Sequence, residues 1–167
     1  IHAESIQQFT MKTSFNGVEV SPNLNKLASD GIYFSNFYAQ ESVGTSSDSE
    51  FTFNTSLLPA TSGTIAINYW DREYTTIQKL LKEKNYYTFS MHGNNCTFWN
   101  RNLLHQQFGY NKFYCYTNEY NIDETIGLGL SDKSFLKQSV DKIKNINKQY
   151  NNCRNDNEPP DFYVYFH

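Results

Sequence analysis

The run Gly44-Thr45-Ser46-Ser47-Asp48-Ser49-Glu50-Phe51 gathers hydroxyls and carboxylates where an aromatic, strand-like segment meets a helix-like one. Free backbone N–H groups at a helix start favour an anion, so a hydroxyl held there either caps the helix or faces a group such as phosphate as a nucleophile. Asp48 and Glu50 fall early in that helix, where acidic side chains complement its dipole. Two other segments carry chemistry: Glu4, beside His2, and His92-Gly93-Asn94, followed by Phe98-Trp99-Asn100-Arg101. A carboxylate and a hydroxyl are suitable oxygen ligands for Mg²⁺ or Mn²⁺, and a metal-bound hydroxyl loses its proton more readily for attack on phosphorus. Each residue also has a plain reading: Ser46 or Ser47 as a cap, Glu4 as a first-turn acid, His92 as a turn residue, Phe98 and Trp99 as packing, Arg101 and His105 as surface groups.

These residues need a scaffold to bring them together. The chain reads as strand and helix signals in alternation. A short strand at Ile1 leads to Glu4, and Ser21-Pro22 caps a helix with Leu24 and Leu27 as its stripe and Gly31 as its end. Residues 32–38 form an aromatic buried strand, and a helix follows from about Ser47 to Leu57. Thr75 or Thr76 caps a helix with Ile77, Leu80 and Leu81 on one face. Residues 86–91 form a strand ending at His92-Gly93, Thr97 caps a helix through Gln107, and Lys112 to Tyr116 is another strand. Leu136, Val140, Ile143 and Ile146 recur at helical spacing from Ser131 to about Tyr150, residues 151–161 are a loop, and residues 162–166 are a last strand. The pattern predicts an α/β fold, a largely parallel sheet with helices on both faces, as one domain over residues 1–167 that looks incomplete at its C-terminus. In such sheets ligands collect beyond the carboxyl ends of strands, which is where Glu4, Thr45-Ser46 and His92-Gly93-Asn94 are expected.

Composition narrows the partners. Fourteen Lys plus Arg against seventeen Asp plus Glu give a net charge of −3 without a basic block, so nothing points to nucleic acid. Aromatics make up 17% of the 167 residues, enough for a packed core. No apolar run approaches the roughly 20 residues of a membrane span, and no signal-peptide pattern opens the chain. Cys96, Cys115 and Cys153 lack C-x-x-C spacing, which leaves free thiols or one disulfide rather than a zinc cluster.

The motifs Glu4-Ser5-Ile6-Gln7-Gln8-Phe9, residues 16–27, Ser46-Ser47-Asp48-Ser49-Glu50-Phe51, Met91-His92-Gly93-Asn94, Phe98-Trp99-Asn100-Arg101 and residues 127–133 stand in an order that resembles the lipoteichoic acid synthases. These are phosphoglycerol transferases of the sulfatase-like, alkaline phosphatase superfamily, and the resemblance covers nearly the whole chain as the N-terminal part of an extracellular catalytic domain. It implies Glu4 and Ser46 as metal ligands for Mn²⁺ (or Mg²⁺), and Ser46 as nucleophile where the family usually has threonine. Thr45 is the neighbouring alternative, and the ungapped match after position 46 favours Ser46. His92, Asn94, Trp99 and Arg101 match residues that hold the glycerol phosphate group, with Asn94 standing where some members have aspartate and Arg101 suited to bidentate contact. The family's later Asp-His metal pair has no counterpart before His167.

The resemblance further implies transfer of glycerophosphate from a phosphatidylglycerol headgroup to a glycerophosphate polymer or glycolipid acceptor, in lipoteichoic acid and cell wall synthesis. It places the domain at the extracellular face of the membrane of a Gram-positive-type bacterium, anchored through segments upstream of Ile1. Alternatives are a phosphoethanolamine transferase, a phosphodiesterase, or a non-catalytic glycerophosphate-binding module. A sulfatase proper needs a Cys/Ser-x-Pro/Ala-x-Arg context, which the Ser46 region lacks.

Overall fold

A computed structural model of the chain describes residues 1–153 and 162–166, with side chains through residue 149. The expected loop lies mostly outside the described residues, as do the Cys153 side chain and His167. The chain divides into two compact units, residues 3–39 and residues 1–2 with 40–167.

In the smaller unit a 3₁₀ turn at Gln8–Thr10 precedes two short antiparallel strands, β1 (Ser14–Phe15) and β2 (Val18–Glu19). Asn16 and Gly17 both have positive φ, 49° and 79°, as a two-residue hairpin turn of the twisted kind requires. Helix α1 (Pro22–Asp30) follows with Pro in its first turn. The expected Ser21 cap is not made, because its hydroxyl donates to the Thr10 carbonyl at 2.7 Å. No strand forms at Ile1 or over residues 32–38, and Ile32, Phe34, Phe37 and Tyr38 are exposed. Aromatic composition favours a strand only where a neighbour supplies the ladder, and no described strand pairs with these residues.

In the larger unit, three parallel strands lie in the order β4 (Lys112–Cys115), β3 (Tyr87–His92), β7 (Phe162–Phe166). Helix α5 (Arg101–Phe108) lies in the crossover from β3 to β4, and α7 (Asp132–Cys153) in the connection to β7. Before the sheet come α2 (Ser46–Thr55), α3 (Ile65–Asn68) and α4 (Ile77–Lys82); between β4 and α7 lie α6 (Tyr116–Glu119) and the hairpin β5 (Thr125–Ile126) with β6 (Gly129–Leu130). The α/β class with a parallel sheet is therefore present, and the helix expected from Ser47 runs to Thr55, where Ser56 in the left-handed region ends it.

Alternation along β3 splits the core in two. Phe89 and Met91 face a cluster with Tyr114, Tyr120, Leu130, Phe135 and Ile146, while a second cluster packs α5 residues Leu104 and Phe108 against Phe51, Ile65, Ala66, Tyr74 and Tyr110. Thr88, Ser90 and His92, on the other face of β3, are buried too. The apolar stripe of α4 is displaced from its expected face, and that of α7 only in its first half, since Ile146 is buried and Ile143 packs against the core as expected. On α4 the buried residue is Gln78 while Ile77 and Leu80 are exposed, because Gln78 donates to Asn54 of α2. On α7 Phe135 and Ser139 turn inward instead of Leu136 and Val140: the Phe135 ring lies under Gly93, where a Cβ would be 3.2 Å away, and Ser139 hydrogen-bonds the Tyr120 hydroxyl at 2.9 Å.

The start of α7 is fixed by hydroxyls: Ser131 bonds Glu124, and Ser134 donates to Asp123. The Ser134 bond is the main cause holding the Asp123 carboxyl below its ordinary range. A depressed carboxyl stabilises the fold above its unfolded-state value and loses that contribution as pH falls through the folded-state value. Ser134→Ala is expected to move the Asp123 titration, followed by NMR, back up; an unmoved titration would refute the assignment.

Candidate functional site

The start of α2 is built by Asp48. Its carboxylate is fully buried and accepts from the backbone N–H of Ser42 at 3.0 Å and of Gly44 at 2.9 Å, folding the approach chain around the helix end. Gly44 has to be glycine, since a Cβ there would lie 2.3 Å from Asp48 Oδ1. Ser47 Oγ donates to the Gly44 carbonyl at 2.7 Å. The chain then turns through Thr45 at φ 47°, ψ −123°, a conformation that costs a β-branched residue on the order of 1–3 kcal/mol and persists only where its surroundings enforce it. Thr45 is exposed and makes no side-chain cap bond; Ser46, the first helical residue, is half-buried. Ser49 donates to the Ser46 carbonyl at 2.9 Å and lies 2.9 Å from His2 Nε2, so its single proton is used and His2 supplies the other.

Glu50 is fully buried and ties this helix to α5. Its Oε2 accepts from Arg101 Nε at 2.9 Å, and its Oε1 meets His105 Nε2. His105 Nδ1 lies 2.8 Å from Ser90 Oγ on β3. Serine, histidine and carboxylate thus stand in the relation of a hydrolytic triad. Ser90 lies mid-strand at 0% exposure, so no substrate reaches it and the arrangement is a structural link. The link continues along α2, where Asn54 donates to the Glu50 carbonyl at 2.7 Å and accepts from Tyr110 at 2.9 Å.

His92 ends β3 on the face that carries Ser90, and is nearly buried. Beyond it, Gly93 and Asn94 accept backbone bonds from Leu130 at 2.8 Å and Tyr116 at 3.1 Å. Gly129 makes this approach possible: a Cβ there would be 2.2 Å from the Gly93 carbonyl oxygen. Cys96 and Cys115 form a disulfide. The helix expected to start at Thr97 instead opens as a 3₁₀ turn, Phe98–Asn100, with Trp99 and Asn100 at φ 55° and 52°, and α5 begins only at Arg101. Trp99 packs partly against the core cluster of Phe51 and Leu104. Arg101 is 1% exposed; its Nη1 also donates to the Phe98 carbonyl at 3.2 Å.

Glu50 therefore brings the helix that begins at Ser46 together with the segment that carries Trp99 and Arg101, and His92 shares the linked face of β3. Only the His92 segment follows a strand; Glu4 and Thr45-Ser46 do not, because the two strands expected before them are not formed. Glu4 is exposed, in a turn of the smaller unit. Among the described residues no three His, Cys, Asp or Glu side chains converge on a metal position, and no helix is long and apolar enough to cross a membrane.

A family model described as Sulfatase matches residues 1–166. The chain belongs to the sulfatase family. It is 36% identical over 145 residues to the lipoteichoic acid synthase-like YvgJ of Bacillus subtilis, covering 86% of this chain and 23% of that protein. It is 41% identical over 148 residues to the lipoteichoic acid synthase of Staphylococcus saprophyticus, covering 86% and 23%. The chain thus spans about a quarter of the length of these relatives. The crystal structure of the lipoteichoic acid synthase LtaP from Listeria monocytogenes superposes with a TM-score of 0.85 at 25% identity, over 97% of this chain and 37% of that one. An alkaline phosphatase superfamily protein from Vibrio parahaemolyticus shares the fold at TM-score 0.70 and 22% identity, over 87% of this chain and 33% of that one.

Along the chain alone, His105 reads as a surface group and Glu50 only as a complement to the helix dipole. Their signal lay in spacing: Arg101 and His105 are four apart on one helix face, a pattern that offers two donors to one carboxylate. Removing one partner of a buried pair leaves an uncompensated charge, so Arg101→Met is expected to cost about 3–5 kcal/mol by urea denaturation of the full-length protein. Glu50→Gln in the same chain is expected to recover part of that loss, and a purely additive double variant would show that the pair is not the link. Gly44→Ala is expected to displace Asp48 and to destabilise the start of α2, read as faster amide exchange over residues 42–49; exchange at the wild-type rate would refute the role given to Gly44.

Proposed function

We propose that the chain is the N-terminal part of a single catalytic domain that transfers glycerophosphate from phosphatidylglycerol to a glycerophosphate polymer or glycolipid acceptor at the extracellular face of a Gram-positive-type cell membrane. One observation carries the choice of nucleophile. In the run from Ser46 to Glu50, the side chains of Ser47, Asp48 and Glu50 are buried and the half-exposed Ser49 spends its proton on the Ser46 carbonyl, whereas Ser46 is half-exposed at the first position of a helix whose entry is held in a strained turn. The relatives' names, lipoteichoic acid synthase and lipoteichoic acid synthase-like, supply the direction of the chemistry.

In this reading Ser46 Oγ attacks the headgroup phosphorus in line with the departing diacylglycerol oxygen. The P–O bond to diacylglycerol breaks, a proton passes to that oxygen, and glycerophosphate remains esterified to Ser46 until an acceptor hydroxyl displaces it. The free N–H groups expected at this helix start are not available there, since Ser47, Asp48 and Ser49 donate theirs to the Gly44 and Thr45 carbonyls. His92, Asn94 and Trp99 hold the glycerol phosphate, and Arg101, buried and paired with Glu50, fixes the segment that carries Asn94 and Trp99 against α2. Glu4 and Ser46 are the residues that would hold Mn²⁺ or Mg²⁺; as oxygen donors they fit a hard cation, and the several further ligands such an ion takes would come from other groups. When bound, the ion would lower the pKa of the Ser46 hydroxyl and neutralise phosphate charge.

The test uses the full-length protein and phosphatidylglycerol vesicles. Ser46→Ala is expected to lower diacylglycerol release by about a thousandfold or more, Ser46→Thr to retain activity, and Thr45→Val to stay within about tenfold of wild type. Wild-type release from Ser46→Ala would remove the assignment, and loss confined to Thr45→Val would transfer it to Thr45. Chelation is expected to abolish release and added Mn²⁺ to restore it.

A further inference from the structure

The segment from Gly93 to Asn100 is irregular backbone beside the proposed glycerophosphate site, and it carries Asn94 and Trp99 and leads into Arg101. Two consecutive non-glycine residues, Trp99 and Asn100, are left-handed there, a conformation that relaxes unless the surroundings over-determine it. Hydrogen bonds supply part of the restraint: Leu130 N–H to Gly93, Tyr116 N–H to Asn94, Asn102 N–H to Cys96 at 3.0 Å, and the Asn100 side-chain amide to the Ala66 carbonyl at 3.0 Å. The only covalent restraint among the described residues is the Cys96–Cys115 disulfide. Cys115 is the last residue of β4 and pairs in register with His92, so the bond fastens the segment to the sheet beside the end of β3. Its other end acts on α5, because the Cys96 carbonyl receives the Asn102 N–H immediately after Arg101. Both cysteines are buried, Cys115 at 2% exposure and Cys96 at 8%.

We propose that Cys96 and Cys115 are a positioning pair, a disulfide clamp that holds the partly exposed Asn94 and Trp99 in one arrangement for a phosphate-bearing ligand. The proposal rests on the glycerophosphate reading given above. The clamp acts on binding rather than on attack, because the start of α2 and Ser46 are held by Asp48 through its bonds to the Ser42 and Gly44 N–H groups, outside the clamped segment. It forms where the setting is oxidising. A dithiol reductant opens it by giving two electrons and two protons: the S–S bond breaks, two thiols form, and the dithiol becomes a disulfide.

The experiment compares the full-length oxidised protein, the same protein reduced with dithiothreitol, and Cys96→Ser/Cys115→Ser. Non-reducing peptide mapping is expected to find residues 96 and 115 bridged in the oxidised protein. Loss of the bond is expected to raise KM for phosphatidylglycerol vesicles by roughly tenfold with kcat changed by less than about twofold. Amide exchange is expected to quicken over residues 93–100 and to stay unchanged over residues 46–55. Unbridged cysteines, unchanged exchange over residues 93–100, or an unchanged KM would each overturn the clamp. A wild-type protein that releases no diacylglycerol would refute the glycerophosphate reading instead, and peptide mapping and exchange would still decide the clamp.

Discussion

The buried carboxylate of Glu50 is the constraint on which the larger unit depends. It lies inside the protein with no solvent to stabilise its charge, and a charge in that position persists only with partners placed around it. Arg101 and His105 are those partners, and both come from α5, four residues apart on one face. Because His105 also reaches Ser90, one acidic group fixes α2, α5 and β3 relative to each other. A buried pair of this kind contributes little net stability compared with an apolar contact of the same volume. Its effect is to penalise every arrangement in which the three elements are misplaced.

The same requirement explains the uneven chemistry of β3. One face, Phe89 and Met91, is ordinary apolar core against Phe135 and Ile146. The other is polar yet buried, with Thr88 bonded to Asn111, Ser90 to His105, and His92 at its end. Polar groups placed there cost free energy unless each is satisfied, so the network extends through Asn54, Tyr110 and Gln78. Asp48 does the equivalent work at the start of α2, using its charge on two backbone N–H groups and leaving Ser46 at the helix end.

Much of the scaffold was legible along the chain. The strands at β3, β4 and β7 and the helices at α2 and α7 fell where local pattern placed them, because apolar runs, capping residues and glycines act over a few residues. The aromatic segment at residues 32–38 misled for a physical reason: strand propensity reports fit to a pleated surface, and it cannot supply a neighbour. The apolar stripe of α4 and the first half of that of α7 misled for another. A helix has two adjoining candidate faces, and contacts distant in sequence, Gln78 with Asn54 and Phe135 under Gly93, chose between them. Membership of the sulfatase family was carried by ordered motifs, and the match over residues 1–166 agrees with them.

Residue types and their order were enough to determine the parallel α/β class, the family, and the short list of chemically capable residues, because those depend on local periodicity and on motifs that survive without any distance being known. Tertiary structure decided which of those residues do structural work. Ser47, Asp48 and Glu50 sit in the same run as Ser46, and nothing along the chain separates them. Burial separates them: the Glu50 carboxylate is turned inward towards Arg101 and His105, whereas Ser46 is half-exposed at the helix end. For Glu50 the decision comes from contacts across more than fifty residues, which no local pattern encodes; for Ser47 and Asp48 it comes from the fold of the turn before the helix.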